Sequence, residues 1–127
     1  MNPPIQIKLT FKSDSKEPDY YTTFFGAEPD FKSVKHSKHP EQNLPDSHIW
    51  TLRSKVGAHG DDVDAHWQNL KNYVQSIFQL QQIAPDTRIS ITIIVDASER
   101  IPAIVIPPDF CLLAGQLGIE IVVDCEQ

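Results

Sequence analysis

From Asp62 to Ile83, apolar residues recur at Val63, Trp67, Leu70, Val74, Ile77 and Phe78. Steps of three and four draw a single stripe along an α-helix, and such a stripe must be buried against another apolar surface. Period-two segments on either side supply that surface. Ile5, Ile7, Leu9 and Phe11 alternate with Gln6, Lys8 and Thr10, and Ile89, Ile91, Ile93 and Val95 alternate within Arg88–Ala97. Both read as half-buried strands. A helix laid on one face of a sheet is the simplest way to close this core.

The remaining segments fit the same plan. Pro18 opens a short helix over Glu17–Phe25 that carries Tyr21, Phe24 and Phe25 and ends at Gly26. His48–Arg53 reads as a strand with Trp50 and Leu52 inward and Ile49, Thr51 and Arg53 outward. Ile101–Ile106 reads as a strand whose Pro102 implies an edge or a bulge. Pro107-Pro108-Asp109 starts a helix with Phe110, Leu113 and Leu117, closed by Gly118, and Ile119, Ile121 and Val123 then alternate in a last strand. The predicted order is β-α-β-α-β-β-α-β, an α+β fold with one twisted sheet, mixed or mainly antiparallel. It has about five strands and three helices mainly on one face. The open face then displays Lys8, Thr10, Thr51, Arg53, Ser90, Thr92, Ile94, Glu120 and Val122.

Residues 1–127 read as a single domain, with a long loop at about 27–47 that holds Pro29, Pro40 and Pro45. A hydrophobic fraction of 40% and a charged fraction of 22% suit an ordinary globular chain. No stretch has the apolar length a membrane span needs, and Met1-Asn2-Pro3-Pro4 has no secretion-signal pattern, so a cytoplasmic protein with no membrane partner is expected. Cys111 and Cys125 are expected to be reduced thiols at or near the core, unreactive in apolar surroundings.

Motifs for chemistry are sparse. Five glycines form neither a dinucleotide-binding fingerprint nor a phosphate loop, and no serine sits in a nucleophile-elbow pattern. His36 and His39 have H-x-x-H spacing, but Lys32, Lys35 and Lys38 surround them and oppose a divalent cation. His59, Asp62 and His66 offer a second metal-like grouping, with Asp62 and His66 four apart on one helix face. Helix capping accounts for Asp61, Asp62 and Asp64 without a metal. No cofactor is expected. A small metal-dependent or acid–base enzyme at His59, Asp62 and His66 is an alternative to a non-enzymatic protein, and a homo-oligomeric scaffold formed through the open sheet face is another.

Charge is more informative. Eleven Lys and Arg against seventeen Asp and Glu give a formal net charge of −6, which disfavours nucleic acid as a partner. Residues 61–127 alone carry −7, offset by +3 over residues 31–60. Asp61, Asp62, Asp64, Asp96, Glu99, Glu120 and Asp124 are therefore the candidate surface for a basic protein partner.

Gly26-Ala27-Glu28-Pro29-Asp30 after an aromatic helix, followed by Ile49-Trp50-Thr51-Leu52 in a strand, resembles the bacterial domain-of-unknown-function family 4279. Pro107-Pro108-Asp109-Phe110-Cys111-Leu112-Leu113, then Gly118-Ile119-Glu120-Ile121 and Asp124, extend the resemblance over nearly the whole chain. It implies a small cytosolic bacterial protein with no established catalytic set. Some relatives resemble the immunity partners of polymorphic or contact-delivered toxins. Toxin neutralisation is thus the function the resemblance implies; joined to the acidic surface, the expectation is a non-enzymatic inhibitor that neutralises a cognate, basic, nuclease-like toxin by direct binding.

Overall fold

A computed structural model describes residues 4–35, 47–56, 62–98 and 103–126. The alternating N-terminal segment forms strand β1, Ile5–Ser13. Helix α1, Pro18–Phe25, follows with proline in its first turn. Next come β2, Phe31–Ser33, and β3, His48–Arg53. The long helical pattern becomes α2, Val63–Gln75, and α3, Ile77–Ile83. β4, Arg88–Asp96, α4, Pro108–Leu117, and β5, Ile121–Glu126, complete the chain.

The architecture is the expected α+β fold on one mixed five-stranded sheet, in the order β2-β3-β1-β4-β5. β1 is central and pairs antiparallel with β3 on one side and β4 on the other. Only β4 and β5 run parallel, with α4 lying between them in the chain. A parallel neighbour needs such a crossover, because a tight turn can join only antiparallel strands.

Ile5, Ile7, Leu9 and Phe11 from β1, Trp50 and Leu52 from β3, and Ile91, Ile93 and Val95 from β4 form the sheet side of the core. The helices cover it with Tyr21, Val63, Trp67, Leu70, Val74, Ile77, Leu80, Phe110 and Ala114. Phe11 and Phe25 pack around Trp50 with ring centroids 5.6 and 5.4 Å away, and Trp67 stacks on Phe110 at 4.4 Å. The buried indoles keep their N–H groups satisfied: Trp50 donates to Thr22 Oγ1 at 3.0 Å and Trp67 to Asp109 Oδ2 at 2.9 Å.

Three local features differ from the sequence reading. The helical segment expected to run unbroken to Ile83 is divided at Ser76, whose Oγ donates to the Asn72 carbonyl at 3.1 Å in competition with the backbone ladder. The break changes the phase of the apolar stripe, so Phe78 is 60% exposed while Ile77 and Leu80 are buried. Residues 31–33, expected as loop, form a short edge strand on β3. Residues 103–107, the described part of the expected Ile101–Ile106 strand and its exit, form no strand, and β5 occupies the place beside β4.

Candidate partner-binding surface

The candidate acids have distinct local settings. Asp62 is the N-cap of α2 and its Oδ1 accepts the Ala65 N–H at 2.8 Å, as the sequence implied. Asp64, in the first turn, accepts from Gln68 Nε2 at 3.3 Å. Asp96 ends β4, and its carboxylate accepts the Ser98 N–H at 2.9 Å; bonding to Ser98 holds its pKa below the ordinary aspartate range. Glu120 is exposed just before β5, and Asp124 is exposed within it, in register with Ile94. Asp61 and Glu99 lie outside the described residues.

Topology decides which of these acids share a surface. β1 begins where β3 and β4 end, since Lys8 pairs with Arg53 and Ile5 with Val95. Ser54, just past β3, bonds His66 of α2 at 2.6 Å and so holds the start of that helix at the same end of the domain. Asp62, Asp64, Asp96 and Asp124 therefore gather toward one end, in two layers, whereas Glu120 belongs to the opposite end of β5. Glu126, in register with Asp96, joins the first group. It is absent from the set read from the sequence, although the period-two run Val122, Asp124, Glu126 carries the signal.

The open face is cationic where β1 meets its neighbours. Lys8 is directly opposite Arg53, and Lys12 directly opposite Arg88. Lys8, Asp30, Phe31, Thr51 and Arg53 line a shallow concavity of about 490 Å³ on this face. Thr51, expected to be displayed there, is only 5% exposed; β2 places Phe31 directly opposite it. Burial alone would raise the Asp30 pKa, but the Lys55 ammonium at 2.9 Å and the Arg53 N–H at 2.6 Å outweigh it and hold the carboxyl below its ordinary value. No sequence spacing announces these juxtapositions, because they depend on long-range register.

His66 is fully buried and its Nδ1 pairs with Ser54 Oγ, which also accepts the Ile7 N–H at 2.9 Å. The Ser54–His66 contact ties three elements together inside the core, and neither side chain reaches solvent. Asp62 is occupied in capping, and His36, His39 and His59 lie outside the described residues. Among the described residues, no three His, Cys, Asp or Glu side chains converge as a metal-ligand group. Both cysteines are exposed, not near-core as expected. Cys111 flanks the stripe formed by Phe110 and Ala114, and Cys125 lies on the outermost strand, where burial is least.

Fold and surface together define a small α+β domain whose helices cover one face of a sheet and whose candidate carboxylates are divided between the helix layer and the sheet edge. The chain belongs to the family described as Domain of unknown function (DUF4279), whose model matches residues 3–127. No curated protein and no solved structure matches it. No helix among the described residues is long and apolar enough to cross a membrane.

Proposed function

We propose that this chain is a non-enzymatic, cytoplasmic binding protein, an immunity-type inhibitor that neutralises a cognate basic, nuclease-like toxin by direct contact. One observation carries the reading. Every ion pair among the described residues uses Asp14, Asp19, Asp30 or Asp109. Asp62, Asp64, Asp96, Glu120 and Asp124 take no part in these pairs, so their charge is left for a partner. Unneutralised surface carboxylates speed the encounter with a basic protein and fix its register.

The test is association with the product of the adjacent reading frame. Stable co-purification is expected, with an association rate that falls by about tenfold or more as ionic strength rises from low to physiological. The joint substitution Asp64→Asn and Asp124→Asn should slow association while leaving the unfolding midpoint nearly unchanged. An adjacent product that does not bind, together with unaltered toxin sensitivity on deletion of this chain, overturns the proposal.

A further inference from the structure

β5 is an outer strand of the sheet, six residues long and in unbroken register with β4 from Ile121 to Glu126. The opposite edge, β2, has only three residues. The phase of the β4–β5 ladder follows from two bonds: Glu120 O accepts the Ile91 N–H at 3.4 Å, and Glu126 O accepts the Ala97 N–H at 2.8 Å. Alternation then turns the N–H and C=O groups of Val122 and Asp124 toward β4, and those of Ile121, Val123 and Cys125 away from it. Among the described residues these outward groups have no partner in the sheet. Register with β4 puts the side chains of Ile121, Val123 and Cys125 on the helix side, and those of Val122, Asp124 and Glu126 on the open side. Val122 and Val123 are 44% and 43% exposed, so the edge offers apolar area as well as main-chain groups.

We infer that β5 receives an extended segment of a partner protein in which apolar residues alternate with Lys or Arg. The inference rests on the reading of this chain as a binding protein and names the mode of docking. Strand addition draws affinity from main-chain bonds and specificity from alternate side chains. On the helix side the segment meets Ile121, Val123 and Cys125; on the open side its basic residues meet Asp124 and Glu126. A second copy of this chain does not fit. Antiparallel self-pairing centred on Val123 sets Glu120 of each copy against Glu126 of the other, and pairing centred on Asp124 sets the two Asp124 carboxylates against each other. Like charges directly opposite destabilise a strand pair, so the carboxylates that deter self-association select a basic strand.

The probe is a synthetic peptide of about eight residues alternating Lys and Val, long enough to cover one strand. Amide hydrogen exchange reads the contact. The expected result is slowing of the Val123 and Cys125 amides by about tenfold or more at saturating peptide, with no such slowing from a Glu–Val peptide. Val123→Pro removes an outward N–H while leaving the β4 ladder paired, and should abolish peptide binding without loss of fold. Asp124→Lys with Glu126→Lys keeps the edge intact and should weaken binding by about tenfold or more. Binding that leaves these amides unprotected, or that survives Val123→Pro, overturns the inference. So does a concentration-dependent dimer that Val123→Pro dissolves. If the adjacent-frame product binds the Val123→Pro variant as tightly as the parent, docking by β5 fails while the inhibitor reading stands. Slowing of β5 exchange by the peptide without any binding of that product gives the reverse.

Discussion

Asp86 lies just before β4, where its Oδ2 accepts the Ser15 hydroxyl at 2.6 Å and the Ser13 hydroxyl at 2.9 Å. Ser13 is fully buried at the end of β1 and its Oγ also accepts the Ser15 and Lys16 N–H groups, so one carboxylate organises the exit from the central strand. Those hydroxyl bonds, Ser15 first and Ser13 second, hold the Asp86 pKa below its ordinary value. For an acid depressed in the folded state, the unfolded chain binds more protons through the titration window, so stability rises with pH there. The contribution is complete above the ordinary aspartate range and is lost as pH falls through the depressed value. Urea unfolding should therefore show Asp86→Asn less stable than the parent at neutral pH, with the gap closing as pH falls below the ordinary aspartate range. Equal gaps at both pH values would rule this linkage out. The carboxylate's role is not legible in the sequence, since Ser13 and Asp86 are joined only by the pairing of β1 with β4. The cap at Asp62 is legible, because its partner lies three residues away.

Gly115 and Gly118 show at the element scale how local geometry decides the sign of one substitution. Gly118 closes α4 at φ +69°, and the Ile119 N–H reaches back to the Ala114 carbonyl at 2.9 Å. Gly115 is inside the helix, and a Cβ added at either position meets nothing within 4 Å. Space being equal, backbone conformation alone separates them. Gly118→Ala should cost about 1 kcal/mol, because an L side chain resists the left-handed region. Gly115→Ala should add about 0.5–1 kcal/mol by lowering the entropy of the unfolded chain and raising helix propensity. Urea titration of both variants checks the pair, and a shared sign would contradict it. The same scale explains what the sequence made readable. β1, β4, α2 and both glycine-terminated helices follow from periodicity and capping within a dozen residues or so. β2 does not, because Phe31–Ser33 is a strand only through its bonds to β3. Nor does the break at Ser76, where one hydroxyl tips a balance that the apolar pattern leaves even.

Over the whole molecule, order within the sheet sets a gradient of local stability. β1 is flanked by β3 and β4, and its inward residues are at most 1% exposed. β5 shows mostly exposed positions, and β2 is both outermost and short. Native-state hydrogen exchange should find the slowest amides in β1 and the adjoining face of β4, opening only with global unfolding, and faster exchange in β2 and β5. Slow exchange throughout β5 in the free protein would contradict that gradient. The outer place of β5 is not legible in the sequence for the same reason: alternation reveals a strand but not its neighbours, and the candidate acids acquire a shared setting only through strand order.

The central position of β1 has a further meaning during synthesis. This strand is made before either neighbour, and both of its edges stay unpaired until His48–Arg53 and Arg88–Asp96 emerge. At about 5–20 residues per second, the interval from Ser13 to Arg88 is on the order of 4–15 s. Until His48–Arg53 is made, the nine residues Ile5–Ser13 have an apolar face and two edges without a partner strand, and one of those edges waits for Arg88–Asp96. The hazard of mispairing for this segment is therefore greatest while β1 waits and least after β4 has paired with it.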